Sequence, residues 1–167
     1  MKIKKTKKIE MQKKYLILGG ALVVLVIALI AMLKMNRMNN AGQGQGAVKP
    51  NDLVKTEVDK SKLPDKFPTD IPLEKDAPVV QNYSATSKEG TYQATRAFES
   101  KATSTENLAI YKKYIEKNGY KVDSTIDLPN LKSIFASKGK QKLSVSIDSN
   151  TITKRNTITI NYVETVN

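Results

Sequence analysis

The 167-residue chain has no cysteine, no histidine and no tryptophan. Without cysteine it forms no disulfide and carries no lipoprotein-type lipidated cysteine. Without cysteine or histidine, a zinc site is disfavoured. Histidine, the most frequent general base at neutral pH, is missing as well. We therefore predict no catalytic residue, no metal site and no bound cofactor.

The net charge of +12 is concentrated near the N-terminus. Residues 1–14 contribute +6 and residues 34–50 contribute +3, so the remaining 117 residues contribute only +3. A nearly balanced region of this kind lacks the basic patch that is typical of nucleic-acid binding. We therefore predict no nucleic-acid partner.

Residues 15–33 form an uncharged apolar run of nineteen residues. As a helix this run is about 28 Å long, close to the ~30 Å hydrocarbon core of a bilayer. Seven lysines precede it, whereas only Lys34, Arg37 and Lys49 follow before residue 50. The positive-inside rule then places the N-terminus in the cytoplasm. We predict a basic cytoplasmic tail (1–14) and a single-pass anchor in the cytoplasmic membrane (15–33), with the rest outside.

A cleaved signal peptide is the competing interpretation of the same run. Signal peptides have an apolar region of about 7 to 15 residues and small residues at the cleavage site. Here the run is longer and no A-x-A pattern closely follows it. These features favour an uncleaved signal-anchor whose partner is the lipid bilayer.

The region after the anchor divides into a spacer and a folded domain. Residues 34–62 are polar and rich in glycine near residues 42–46, which predicts a flexible spacer. The extracytoplasmic domain is predicted to span residues 63–167. Its first segment, residues 63–73, has prolines at 64, 68 and 72 and is predicted to be extended. Its apolar side chains are expected to pack on the domain surface: Leu63, Phe67, Ile71 and Leu73. A polyproline-type ligand is the alternative, but the proline spacing does not match the PxxP period.

The remaining pattern predicts short strands and one helix. Residues 77–85 and 91–99 flank a turn that ends at Gly90. A helix follows, with a capping box formed by Thr103 and Glu106 and with Gly119 at its C-terminal end. Period-two alternation then runs from residue 120 to residue 162. We predict an α+β fold, in which an antiparallel sheet of about six strands (β-β-α-β-β-β-β) carries one helix on one face.

The alternation also predicts which side chains face the core. Val145 and Ile160 should point inward, whereas Ser146 and Thr159 should point outward. The sheet is therefore expected to have one buried face and one solvated face.

Carboxylates are the main candidates for ion binding. Four of them lie in or just after the proline segment: Asp65, Asp70, Glu74 and Asp76. Oxygen ligands of this kind bind calcium, but the spacing lacks the D-x-D-x-D-G pattern. A solvated acidic loop is the favoured interpretation.

Two other patterns have a functional alternative. Asn82-Tyr83-Ser84 is a glycosylation triplet, but it lies within a predicted strand and is expected to be unused. The tyrosines of the helix and the later strands are predicted to be core residues rather than a sugar-stacking platform: Tyr111, Tyr114, Tyr120 and Tyr162.

Several short motifs together resemble a group of small membrane-anchored domains. They are the segment 63–73 followed by Ala77, Val79 and Val80, the helix residues 110–112, the turn 118–120 and the later turn 136–139. The combination resembles signal-anchored extracytoplasmic domains of unknown function from uncultured bacteria of reduced genome. The chain departs from that pattern at residues 74–76, where relatives often have a Tyr-Pro-Gly-type turn. The resemblance implies a bacterial cell-envelope protein with this fold, and it implies no catalytic residues.

These observations favour a non-catalytic binding, interaction or envelope-structural module tethered to the membrane. Its partner would be an envelope protein or polymer. One alternative is a carboxylate-based hydrolase of cell-wall polymer, which needs two converging acids. Another is an accessory subunit of a larger membrane complex.

Overall fold

The computed structural model describes residues 53–151 and 153–165. The predicted tail and anchor, and spacer residues 34–52, lie outside the described residues. In the described part of the chain, no helix has the length and apolar character needed to cross a membrane. The described elements are, in chain order, β1 (Leu53–Glu57), β2 (Val79–Ser87), β3 (Tyr92–Ser100), α1 (Ser104–Lys117), β4 (Lys121–Asp127), β5 (Leu131–Lys138), β6 (Gln141–Asn150) and β7 (Arg155–Glu164).

The strands form one seven-stranded sheet in the order β1-β2-β3-β7-β6-β5-β4. Every neighbouring pair is antiparallel. The predicted order of six strands around one helix is confirmed, and the described residues are mostly β. The difference is β1, a seventh strand that lies within the range predicted to be spacer. This short edge strand is largely exposed, so its sequence lacks the apolar alternation that marks a half-buried strand.

Helix α1 begins and ends where its sequence predicts. The Thr103 hydroxyl accepts a hydrogen bond from the Glu106 amide, and the Glu106 carboxylate accepts one from the Thr103 amide. At the other end Gly119 has a φ of +71°, a conformation that favours glycine. The Gly119 amide donates to the Glu116 carbonyl and the Tyr120 amide to the Ile115 carbonyl, which completes a Schellman motif.

One face of the sheet packs against α1 and forms the hydrophobic core. The helix lies over β4, β5 and β6. Val145 on β6 is paired directly with Ile160 on β7, and the two are 1% and 0% exposed. The predicted inward orientation of both side chains is therefore confirmed.

The proline segment 63–73, called the strap below, covers the rest of this core. Phe67 and Ile71 are buried in it, and Leu63 and Leu73 pack against its margin. The predicted packing is confirmed, but the predicted extended backbone is wrong. The Phe67 amide donates to the Pro64 carbonyl, and the Ile71 amide donates to the Pro68 carbonyl. Two prolines therefore each begin a tight turn, which brings Phe67 and Ile71 onto the same core.

The opposite face of the sheet mixes polar side chains with Tyr83, Ala97 and Phe135, and its centre is buried rather than solvated. Ser146 lies on this face, is only 4% exposed, and shares a hydrogen bond with Ser133. Thr159 is half-buried. The prediction of a solvated face is therefore wrong for the middle strands. Small side chains such as these bury readily when they hydrogen-bond to one another, because the bond offsets the cost of removing them from water.

Candidate functional site

A cavity of about 250 Å³ lies at one end of α1. Three elements meet there: the strap, the C-terminal end of the helix, and the strand ends around the β5–β6 turn. The strap contributes Lys66, Pro68 and Asp70, the helix and its cap contribute Tyr114, Asn118 and Tyr120, and the strands contribute Lys138, Gln141 and Tyr162. We call this the tyrosine pocket.

Three phenol groups converge on the tyrosine pocket. The Tyr114 hydroxyl donates to Asp70 Oδ1 at 3.0 Å, and the Tyr120 hydroxyl donates to Gln141 Oε1 at 3.3 Å. The Tyr162 side chain lines the same pocket as Gln141.

Burial keeps these phenols protonated. It raises the pKa of Tyr114 well above its usual value, and the hydrogen bond to Asp70 raises that pKa further. Burial is also the main reason that the pKa values of Tyr120 and Tyr162 are raised. Below the ordinary tyrosine pKa of about 10 each hydroxyl is therefore protonated, and those of Tyr114 and Tyr120 donate that proton to Asp70 and Gln141.

Two lysines flank the pocket, and each has a partner. Lys66 Nζ lies 3.3 Å from a carboxylate oxygen of Glu164 and 5.4 Å from the centre of the Tyr92 ring. Lys138 Nζ donates to the Asn118 carbonyl at 2.9 Å and lies 5.8 Å from the centre of the Tyr120 ring. Each ammonium group therefore already has a polar partner at the edge of the pocket.

The position of the strap depends on tyrosines behind and beside the pocket. The Tyr111 hydroxyl donates to the Pro72 carbonyl at 2.9 Å, and the Tyr92 hydroxyl donates to the Asp65 carbonyl. Tyr111 is 2% exposed. Tyr111, Tyr114 and Tyr162 are buried and Tyr120 packs against the core, so the prediction that these four tyrosines are core residues is confirmed. Their hydroxyl groups nevertheless either line the pocket or hydrogen-bond to the strap that forms one side of it.

The buried Asn82 and the half-buried Arg96 hold the chain just before the strap. The Asn82 side-chain amide donates to the carbonyls of Asp59 at 2.7 Å and Lys62 at 3.0 Å. Arg96 donates to the Asn82 side-chain oxygen and also to the Lys62 carbonyl. Because Asn82 is only 1% exposed, the glycosylation triplet that contains it is inaccessible in this fold.

The four acids considered for calcium do not come together. Asp70 accepts from Tyr114, whereas the Glu74 carboxylate accepts from the Ser100 hydroxyl at 2.6 Å. Over residues 53–151 and 153–165 no group of three or more acidic side chains is arranged to hold a metal ion. The calcium alternative therefore has no geometric support among these residues.

A second polar feature crosses the opposite face of the sheet. Gln93 donates to Thr95, Thr95 donates to Asn161 at 2.8 Å, and the Asn161 amide donates to Ser144. Tyr83 pairs with Thr95 at one end of this row, and Phe135 pairs with Ser144 at the other. We treat this row as structural, because no buried side-chain nitrogen or oxygen of the described residues lacks a hydrogen-bond partner.

Sequence analysis identified the tyrosines but not the pocket. Lys66 and Lys138 lie in motifs that indicated no binding role, Gln141 lies in no motif, and Tyr162 is far from Tyr114 and Tyr120 in the chain. They meet only because β6 lies between β5 and β7, so that Tyr162 pairs with Leu143 beside the β5–β6 turn. The sequence contains no marker of that strand order.

Comparison with known proteins gives one similarity. A protein-family model described as START domain-like matches residues 80–156, just under half of the chain. The matched range covers most of the sheet, from β2 to the start of β7, together with α1. No curated protein and no solved structure matches the chain.

Proposed function

We propose that the chain is a single-pass membrane protein whose extracytoplasmic domain is a non-catalytic binding module of the bacterial cell envelope. Residues 15–33 would contact the lipid bilayer, with the N-terminus inside the cell. The partner would be an envelope protein or polymer and not a nucleic acid. The motifs in residues 63–139 that resemble anchored envelope domains support this assignment.

The tyrosine pocket is the observation that carries the binding function. It gathers three phenols, two amides, one carboxylate and two ammonium groups from elements that are distant in the sequence. Most of these groups already have a neighbouring partner, so the pocket would need little reordering when a ligand enters. Such preorganisation lowers the entropic cost of binding.

The geometry gives less support to the hydrolase alternative. Acid-catalysed cleavage of a glycosidic bond uses two carboxyl groups, separated by about 5 to 9.5 Å. Asp70 is the single carboxylate among the residues that line the tyrosine pocket. It already accepts a hydrogen bond from Tyr114, and its role is best explained as orienting that phenol.

Site-specific photo-crosslinking in native membranes tests this function. A benzoyl-phenylalanine replaces exposed Lys138 at the pocket, and a matched variant carries it at exposed Lys112 on the outer side of α1. We expect a discrete adduct from position 138 and none from position 112. Equal labelling at both positions, or none at either, would contradict the pocket as the binding surface.

A further inference from the structure

We infer that the tyrosine pocket takes one neutral polyhydroxylated ring of hexose size, either as a free sugar or as the terminal unit of a polymer. This ligand class rests on the proposed function, because it specifies what the same pocket binds. Three features support it: the balance of charge, the hydrogen-bonding chemistry and the size of the cavity.

The charges around the pocket cancel. Lys66 and Lys138 bring two positive charges, and Asp70 and the Glu164 partner of Lys66 bring two negative charges. An anion would have to compete with Glu164 for Lys66, and a cation would meet two ammonium groups. A neutral ligand avoids both costs, because it requires no unpaired charge to be desolvated.

The pocket offers hydrogen-bonding groups that suit hydroxyls. A sugar hydroxyl both donates and accepts. The Tyr114 and Tyr120 hydroxyls already donate to Asp70 and Gln141, so they offer it acceptor oxygens, and Tyr162 adds a third phenol. Asp70 adds an acceptor, and the Gln141 amide adds both a donor and an acceptor. Tyr114 and Tyr162 are only 6% and 4% exposed, so recognition would use their phenol edges rather than ring stacking.

The cavity is small enough to favour a single ring. Its volume is about 250 Å³. It lies below the ~300 Å³ lower end of pockets for drug-sized ligands. A single six-membered ring with its hydroxyls fits this space, whereas a second ring would extend into solvent.

Tyrosine NMR on the full chain in detergent micelles tests the ligand class. The tyrosine rings are labelled with ¹³C and titrated with glucose, N-acetylglucosamine, chitotetraose or inorganic phosphate. We expect the neutral probes to shift the resonances of Tyr114, Tyr120 and Tyr162 and to leave Tyr83, on the opposite sheet face, unchanged. Tighter binding of chitotetraose than of N-acetylglucosamine would indicate a polymer end as the source, and equal binding a free unit.

A pair of matched variants makes the result specific. Tyr162→Phe removes one pocket hydroxyl and should weaken binding of the neutral probe about fivefold. Tyr83→Phe removes a hydroxyl outside the pocket and should leave binding unchanged. A thermal melt of each variant confirms that it is folded.

Two results would overturn the ligand class. They are no shift with any neutral probe, with or without shifts from phosphate, and unchanged binding in folded Tyr162→Phe. If the crosslink at position 138 persists in any of these cases, the pocket still binds and only the ligand class fails. If the crosslink is also missing, the proposed function fails with it.

Discussion

Replacement of Asn82 by alanine should destabilise the domain, because this one side chain holds the segment that leads into the strap. Its amide bonds to the Asp59 and Lys62 carbonyls, and its oxygen accepts from Arg96. Two neutral hydrogen bonds are worth about 1 kcal/mol each, and the charge-assisted bond about 1.5 kcal/mol or more. Water can partly replace these bonds near the surface, so we expect Asn82→Ala to cost about 3 kcal/mol.

Thermal unfolding of the full chain in detergent, followed by circular dichroism, measures this cost. For a domain of this size, 1 kcal/mol corresponds to about 4 °C, so the melting temperature should fall by about 12 °C. The matched control is Asn130→Ala, which removes an exposed asparagine in the turn between β4 and β5. The control should change the free energy of unfolding by less than about 0.5 kcal/mol.

A double-mutant cycle distinguishes the Arg96–Asn82 hydrogen bond from a general packing effect. Arg96→Met is combined with Asn82→Ala, and the coupling energy between the two sites should be about 1 kcal/mol or more. A melting temperature of Asn82→Ala within about 2 °C of the parent would refute the role given to Asn82. Strict additivity of the two substitutions would refute the pairing with Arg96.

Three further predictions concern the core, the helix cap and the phenols. Val145→Asp should unfold the domain by placing an unpaired charge in the core. Thr159→Asp, at a half-buried position on the other sheet face, should reduce the free energy of unfolding by less. Equal melting temperatures of the two variants would contradict the assignment of faces. Hydrogen bonds from Thr103 lower the pKa of Glu106, so its contribution to stability is present above the ordinary glutamate pKa and is lost as pH falls through the lower folded-state pKa. In acid melts, Glu106→Gln should remove that part of the pH dependence. A variant whose melting temperature depends on pH as the parent's does would contradict the cap. Burial raises the pKa of Tyr114, so its contribution to stability is present below the ordinary tyrosine pKa of about 10 and is lost as pH rises towards the folded-state pKa. In alkaline melts, Tyr114→Phe should therefore lose less stability than the parent. A parent stability that is constant above pH ~10 would contradict this prediction.

The elements with strong local patterns could be predicted from the sequence. The Thr103–Glu106 capping box and Gly119 define both ends of the helix through short-range chemistry, and the paired strands show clear alternation. The core positions Val145 and Ile160 follow directly from that alternation.

The remaining features depend on contacts that the sequence does not encode locally. β1 is a short exposed edge strand whose pairing with β2 cannot be recognised without the sheet. Serines at alternate positions of a strand can either face water or hydrogen-bond to one another when buried, as Ser133 and Ser146 do. The tyrosine pocket is harder still to predict from the sequence, because it depends on the strand order and on the turns that begin at Pro64 and Pro68.

Cysteine accessibility on intact cells tests the central claim, that the pocket-bearing domain faces outward from an N-terminal anchor. Because the chain has no native cysteine, a single cysteine gives an unambiguous signal. Lys113→Cys lies on the exposed side of α1, and Thr6→Cys lies in the predicted cytoplasmic tail. The account predicts that a membrane-impermeant maleimide labels Lys113→Cys on intact cells and labels Thr6→Cys only after permeabilisation. Labelling of Thr6→Cys alone on intact cells would contradict the account.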